Sequence, residues 1–80
     1  MNDQLKKGVY KHYKGNFYLL EDVALHSETE EAFAIYRPMY GERALWIRPL
    51  SMFIESVELN GKKVPRFAYF CSEEEFSASK

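Results

Sequence analysis

The 80-residue sequence has a single cysteine, Cys71, so no disulfide can form within the chain. This composition fits a reducing compartment, and we predict a cytoplasmic protein. No apolar run approaches the roughly 18 residues of a membrane-spanning helix. The N-terminal residues MNDQLKKG also lack the apolar segment of a signal peptide. The sequence therefore predicts no membrane partner.

An excess of charge of either sign is also missing. Eleven Lys and Arg stand against twelve Asp and Glu, which gives a net charge of −1. Domains that bind nucleic acid are usually strongly basic. Nucleic acid is therefore a possible partner that the net charge does not favour.

Aromatic residues are plentiful in this short chain, with six Tyr, six Phe and one Trp. Large rings bury enough apolar area to support a small core without disulfides. We predict one domain over residues 8–70, preceded by a flexible N-terminus at residues 1–7. Residues 71–80 contain three consecutive glutamates and are predicted to form a frayed acidic tail.

Alternating apolar residues predict two strands in the middle of the chain, at residues 32–36 and 44–48. Gly41 lies between them and can adopt the positive φ of a tight turn. Pro38 cannot donate a ladder hydrogen bond, so it marks a strand end or an edge. These features predict a β-hairpin.

Three other local signals complete the prediction of secondary structure. Residues 17–25 alternate on both faces of a long strand, and the interruption at Glu21-Asp22 predicts a bulge or kink. Asn60-Gly61 predicts a type I′ hairpin turn. Pro49 opens a possible single helical turn over residues 49–53, because proline is tolerated at the first position of a helix.

Five or six short strands separated by turn residues, with no convincing long helix, predict an all-β domain. At this size we predict a small, partly open SH3-like barrel, because closure of a sheet removes its exposed edges.

Five short motifs lie between residues 8 and 70. They are Gly8-x-Tyr10-x-His12-Tyr13-Lys14-Gly15-Asn16-x-Tyr18, Ala24-x-His26-Ser27-Glu28-Thr29-x-Glu31, Tyr36-Arg37-x-x-Tyr40-Gly41, Leu45-Trp46-x-Arg48-Pro49-x-x-Met52-Phe53, and Gly61 with Pro65-Arg66-Phe67. Together they resemble a bacterial family of short proteins known as domain of unknown function 1653. The resemblance implies a small bacterial β domain, and it implies no established activity, substrate or cofactor.

Several residues in these motifs are aromatic or ionisable, although a core does not require such residues. Arg48 and Arg66 lie next to prolines at predicted strand ends, where a barrel mouth would gather them. Arginine beside aromatic rings can hold a phosphate, a carboxylate or a stacked base. We therefore predict a noncatalytic binding module for an anionic small molecule, a peptide or a nucleic-acid end. The predicted ligand-binding residues are Tyr10, His12, Trp46, Arg48 and Arg66.

A purely structural interpretation of the same residues is the main alternative. Trp46 suits a core position, and His26 could simply satisfy a backbone carbonyl. The arginines could pair with carboxylates and hold loops together, with Glu28, Glu31 and Glu55 as possible partners.

A different function is a small enzyme or enzyme subunit that uses His26 as an acid–base group. Glu28 or Glu31 would then orient the imidazole. The sequence contains no nucleophile motif, phosphate loop or metal-ligand spacing, so no catalytic residue, metal or cofactor is predicted outright. A third hypothesis is a protein-interaction or oligomerisation domain, in which an exposed strand edge pairs with a partner.

Overall fold

The computed structural model describes residues 5–78, which form seven strands and two short helices. In chain order the elements are β1 (Gly8–His12), β2 (Phe17–Leu25), β3 (Ala32–Pro38), β4 (Trp46–Pro49), α1 (Leu50–Phe53), β5 (Ser56–Leu59), β6 (Lys62–Pro65), β7 (Phe67–Cys71) and α2 (Glu73–Ala78).

The main sheet is antiparallel and has the strand order β4-β3-β2-β1-β7, and β5 and β6 form a separate two-stranded sheet. The prediction of an all-β fold is therefore confirmed. The main sheet is not closed into a barrel, because within residues 5–78 no strand joins β4 to β7. The SH3-like barrel is accordingly not confirmed. The predicted domain boundaries at residues 7/8 and 70/71 stay predictions, and residues 1–4 and 79–80 lie outside the described part.

The local signals of the central strands are confirmed. The ladder between β2 and β3 runs from Tyr18 opposite Pro38 to Leu25 opposite Ala32, and its register shifts between Leu20 and Asp22. This shift is the bulge that Glu21-Asp22 predicted. The hairpin of β3 and β4 is also present, although β4 begins two residues later than the predicted strand.

The two local signals in the second half of the chain are confirmed as well. Asn60 and Gly61 join β5 to β6 with φ angles of 54° and 79°, the two positive values that a type I′ turn requires. The helical turn is α1, and Pro49 directly precedes it. Arg66 separates β6 from β7.

One face of the main sheet carries the hydrophobic core. Because side chains alternate along a strand, β1, β2, β3 and β7 each direct alternate residues to this face. The helix α1 covers them, and its Phe53 is 1% exposed. The core consists of Tyr10, Leu20, Ala34, Tyr36, Phe53 and Phe67.

The opposite face of the sheet is covered at one end by α2. The ring of Phe17 in β2 lies 4.9 Å from that of Phe70 and 5.4 Å from that of Phe76 in α2, measured between centroids. A capping box starts this helix, because the Glu75 amide donates to the Ser72 hydroxyl and the Ser72 amide donates to the Glu75 carboxylate. Helix α2 is not among the elements predicted from the sequence.

Candidate functional site

An open pocket of about 210 Å³ lies where the core face of the sheet reaches solvent beside the edge strand β4. Four aromatic rings form most of its wall. We call it the aromatic pocket, and it is lined by Tyr18, Tyr36, Pro38, Tyr40, Trp46 and Arg48.

Strand register explains why these side chains meet. Trp46 lies opposite Tyr36, and Arg48 lies opposite Ala34, so Trp46 and Arg48 project from β4 on the core face. Tyr18 reaches the same face from β2. Tyr40 comes from the loop after β3, and its hydroxyl oxygen lies 3.2 Å from that of Tyr18.

The cation of the pocket is Arg48. Its Nε donates a hydrogen bond of 3.3 Å to the Tyr36 hydroxyl. Its guanidinium carbon lies 5.8 Å from the centroid of the Phe67 ring, within the distance of a cation–π contact. Among residues 5–78, no carboxylate forms an ion pair with it. The positive charge of Arg48 is therefore held in place by a phenol and a ring rather than neutralised by an acid.

The pocket tyrosine Tyr18 is a stable hydrogen-bond donor. Burial, followed by the hydrogen bond with Tyr40, raises the pKa of Tyr18 to about 12. A phenol with such a pKa keeps its proton at every physiological pH. In the Tyr18–Tyr40 pair one hydroxyl hydrogen lies between the two oxygens, which leaves the other hydroxyl hydrogen for another acceptor.

His12 lies next to the pocket rather than inside it. Its ring centroid is 6.0 Å from that of Tyr18 and 4.9 Å from that of Phe67. Its Nδ1 accepts a hydrogen bond from the Lys14 amide, which leaves Nε2 as the position of the proton in the neutral ring. Burial lowers the pKa of His12, and the positive charges of Arg66, Lys14 and Arg48 lower it further.

The structure brings two of the five predicted ligand-binding residues, Trp46 and Arg48, together in the aromatic pocket, and a third, His12, lies beside it. Trp46 is 58% exposed, so the alternative interpretation that placed it in the core is wrong. The reason is its position on an edge strand, with β3 on one side and solvent on the other.

The other two predicted residues have structural partners. Tyr10 is 4% exposed, and its hydroxyl donates to the Lys6 carbonyl at 2.6 Å. The Arg66 Nη2 lies 2.6 Å from the Glu55 Oε2, so this arginine does pair with one of the carboxylates considered for it. Neither side chain lines the aromatic pocket.

Sequence reasoning missed the tyrosines Tyr18, Tyr36 and Tyr40 as pocket residues. A usable signal was present, because Tyr36 has the same alternation phase in its strand as Trp46 has in the next one. The hairpin prediction, read as a register, would have placed the two rings side by side.

The connector between β2 and β3 contains the residues of the enzyme hypothesis. His26 and Glu28 are exposed, and the imidazole Nδ1 accepts hydrogen bonds from the amides of Glu28 and Thr29. Within residues 5–78 no side-chain hydrogen bond joins His26 to the carboxylate of Glu28 or Glu31. The enzyme hypothesis gains no support from this loop and stays a prediction.

No group of three or more His, Cys, Asp or Glu side chains in residues 5–78 is arranged to hold a metal ion. No helix in the same range is long and apolar enough to cross a membrane.

Comparison with known proteins identifies the family. The sequence profile described as "Protein of unknown function (DUF1653)" matches residues 8–69. The chain belongs to the DUF1653 family. The crystal structure of a DUF1653 protein from Bordetella bronchiseptica is similar to this chain, with a TM-score of 0.80 and 32% sequence identity. The similarity covers 90% of this chain and 95% of that one. No curated protein matches the chain.

All residues of the aromatic pocket, together with His12, fall inside the segment that matches the DUF1653 profile. Helix α2 lies beyond that segment. The pocket is therefore built entirely from the DUF1653 domain, and α2 supports the opposite face of the sheet.

Proposed function

We propose that this DUF1653 protein is a noncatalytic binding module that holds the anionic group of a ligand in the aromatic pocket. The observation that carries the proposal is the state of Arg48. Its guanidinium forms part of the wall of an open pocket, and within residues 5–78 it is paired with no carboxylate. A partly buried cation without a counter-charge attracts an anion from solution.

The remaining polar groups of the pocket are suited to the same kind of ligand. The Tyr36 hydroxyl accepts the Arg48 hydrogen bond and keeps its own hydrogen for a further acceptor. One hydroxyl hydrogen of the Tyr18–Tyr40 pair is available as well. The Trp46 indole nitrogen can only donate. A pocket rich in donors favours an oxyanion such as a phosphate or a carboxylate.

The size of the pocket limits how much of a ligand it can enclose. Its volume of about 210 Å³ is below the roughly 300–1,000 Å³ of sites that enclose a drug-sized molecule. A single ring or a single charged group fits inside, and the rest of a larger molecule extends over the surface. This favours a small anion or one end of a longer ligand.

The experiment uses Trp46 as its reporter, because it is the only tryptophan of the chain. Inorganic phosphate, acetate and nucleoside monophosphates are titrated while the tryptophan fluorescence is followed, and an amide-shift titration by NMR locates the binding site. We expect saturable changes at Trp46 and at the amides next to Tyr36 and Arg48.

The decisive variant is Arg48→Gln, which removes the charge and retains a polar side chain. A charge-assisted hydrogen bond contributes about 1.5–3 kcal/mol, so we expect binding to weaken at least about tenfold. Lys7→Gln is the matched control, because it removes one positive charge just before Gly8, the first residue of β1. His12, the residue beside the pocket, is at the other end of that strand. Equal affinity of Arg48→Gln and the original protein would refute the proposal.

One observation favours oligomerisation as a second candidate function. Leu45 and Ile47, at the edge strand β4, are 56% and 64% exposed. Exposed apolar side chains at a free strand edge are suited to pairing with a second copy. Sedimentation equilibrium at increasing protein concentration, repeated with Ile47→Glu, tests this candidate. A monomer at all concentrations would exclude it.

A cytoplasmic location completes the proposal. The lone cysteine Cys71 is a free thiol in the structure, which is consistent with a reducing compartment. Fractionation of cells that express a tagged protein is the direct test.

A further inference from the structure

Two cations and a histidine, whose lowered pKa leaves it mainly neutral at pH 7, form a row that leads away from the aromatic pocket. It starts at Arg48, continues to His12 and ends at Lys14, and we call it the cationic row. Rings separate its members. Phe67 lies between Arg48 and His12, with distances of 5.8 Å to the guanidinium carbon and 4.9 Å to the imidazole centroid. Tyr13 lies between His12 and Lys14, with distances of 4.7 Å and 5.9 Å.

The charges along this row are not cancelled nearby. Within residues 5–78 neither Arg48 nor Lys14 is ion-paired with a carboxylate. The charged groups that act on His12 are Arg66, Lys14 and Arg48, all of which are positive. Arg66 acts on His12 most strongly of the three, although it is ion-paired with Glu55. The surface beside the pocket is therefore locally basic although the whole chain has a net charge of −1.

A small anion bound at Arg48 would leave the rest of this row unused. A linear polyanion would use all of it, since each further negative group could lie near the next cation. The pocket itself adds an aromatic surface, because Trp46 and Tyr40 are 58% and 51% exposed. Exposed rings beside a basic groove are the features with which proteins bind single-stranded nucleic acid, through base stacking and phosphate contacts.

We infer that the ligand is the end of a single-stranded nucleic acid, with the terminal nucleotide in the aromatic pocket and the following phosphates along the cationic row. The inference rests on the proposed function of the pocket and names the class of its ligand. The base stacks on Trp46 and Tyr40, and Arg48 contacts the first phosphate. His12 and Lys14 contact the phosphates that follow.

An acidic peptide is the nearest competitor, and the pocket chemistry disfavours it. Glutamate and aspartate side chains could pair with the cations, but they have no planar ring to place against the exposed faces of Trp46 and Tyr40. A nucleic-acid strand repeats a charge and a planar base at every residue. In the structure the exposed rings Trp46 and Tyr40 line the same pocket as Arg48, and the Tyr13 ring lies 5.9 Å from the Lys14 Nζ.

The test measures quenching of the Trp46 fluorescence by four probes at several salt concentrations. The probes are inorganic phosphate, thymidine 5′-monophosphate, a single-stranded hexathymidylate with a 5′-phosphate, and hexaglutamate. We expect the hexanucleotide to bind at least tenfold more tightly than the mononucleotide. Phosphate contacts of the two cations, Arg48 and Lys14, predict a slope of log K against log salt concentration of about −1.4, since each contact with a single strand contributes about −0.7.

Lys14→Gln isolates the row from the pocket. This exposed side chain lies outside the pocket, so the variant should weaken binding of the hexanucleotide more than binding of the mononucleotide. Its salt slope for the hexanucleotide should become about 0.7 less steep, because one phosphate contact is lost. Lys7→Gln should change neither quantity. Thermal melting of each variant verifies that it is folded.

The outcomes separate the inference from the function on which it rests. If the mononucleotide binds as tightly as the hexanucleotide, the site takes a small anion, so the inference fails and the proposed function stands. If hexaglutamate binds more tightly than the hexanucleotide, the partner is a protein and the inference also fails. If no probe changes the Trp46 signal or any amide shift, the proposed function fails together with the inference.

Discussion

The ring of Phe53 lies face to face on the ring of Phe67, with centroids 4.2 Å apart and planes inclined by only 2°. Phe53 belongs to α1, which directly follows the edge strand β4, and Phe67 belongs to the opposite edge strand β7. This stack therefore connects the two edges of the sheet across its core face. Side-chain packing holds together a sheet that hydrogen bonds do not close.

Removal of the Phe53 ring should destabilise the whole domain. Replacing a buried phenylalanine by alanine costs about 3–5 kcal/mol, because apolar contacts are lost and a cavity remains. We expect Phe53→Ala to lower the free energy of unfolding by this amount in urea denaturation. Ile54→Ala is the control, since Ile54 is 53% exposed and should change the stability by less than about 1 kcal/mol. Equal effects of the two variants would mean that the stack does not support the fold.

Gly8→Ala should destabilise the fold, because alanine strains the backbone at this position and its Cβ has too little space. Gly8 has a φ of 145°, and an added Cβ would lie 2.9 Å from the Cys71 carbonyl oxygen and 3.0 Å from the Tyr69 ring. Strained backbone conformations cost about 1–3 kcal/mol, and the contact with a backbone oxygen adds to this cost. Gly15→Ala is the matched control, because its φ is 110° and nothing lies within 4 Å of its added Cβ.

Chemical denaturation of the two glycine variants separates the two contributions. Gly15→Ala measures backbone strain alone. The additional loss in Gly8→Ala then measures the close approach of β1 and β7. A smaller loss in Gly8→Ala than in Gly15→Ala would contradict this interpretation.

The ion pair of Arg66 and Glu55 should contribute only modestly to stability. Its two shortest contacts are 2.6 Å and 2.9 Å, both to the Glu55 Oε2, and both side chains remain partly exposed. Pairs in such surroundings contribute a few tenths of a kcal/mol to about 1 kcal/mol. A double-mutant cycle with Glu55→Gln and Arg66→Gln should give a coupling energy in this range. A coupling energy of zero would show that the hydrogen bonds between backbone groups at these residues suffice.

Because of His12, the stability of the fold should decrease as the pH is lowered. Burial, followed by Arg66, Lys14 and Arg48, holds the pKa of His12 below its ordinary value of 6.5. The unfolded chain therefore binds a proton more readily than the folded one. The contribution of His12 to the free energy of unfolding is complete above the pKa that His12 has in the unfolded chain. It is lost as the pH falls through the lower pKa that His12 has in the folded protein.

An NMR titration of the His12 ring protons measures this pKa against a short peptide of the same local sequence. We expect a lower value in the protein than in the peptide. Arg48→Gln should raise the pKa of His12 because one positive neighbour is removed, and Lys7→Gln should leave it unchanged. A pKa in the protein above that of the peptide would contradict the arrangement of charges around the pocket.

The parts of the fold that could be predicted from the sequence depend on neighbouring residues. Asn60-Gly61 defines its own turn, Glu21-Asp22 disrupts its own strand, and Pro38 ends the strand in which it lies. The helix α2 belongs to this local class as well. Ser72 and Glu75 have the spacing of a capping box, which was a readable signal that the sequence analysis did not use.

The features that could not be predicted depend on strand order. Whether Trp46 is buried follows from β4 being an edge strand, which the alternation of residues 44–48 does not reveal. The same limitation applies to the two arginines. Both lie next to a proline and near rings, but only the folded chain shows that Arg66 contacts Glu55 while Arg48 contacts Tyr36.

The connector between β2 and β3 lies at the far end of their ladder from the aromatic pocket, since Leu25 opposite Ala32 and Tyr18 opposite Pro38 are its two ends. Its residues 26–31 are exposed and bond mainly among themselves. Exposed loop tips of this kind tolerate inserted sequence. The connector is therefore a suitable attachment point for an affinity tag or a fluorescent label, which would immobilise or track the domain while the end with the aromatic pocket stays accessible.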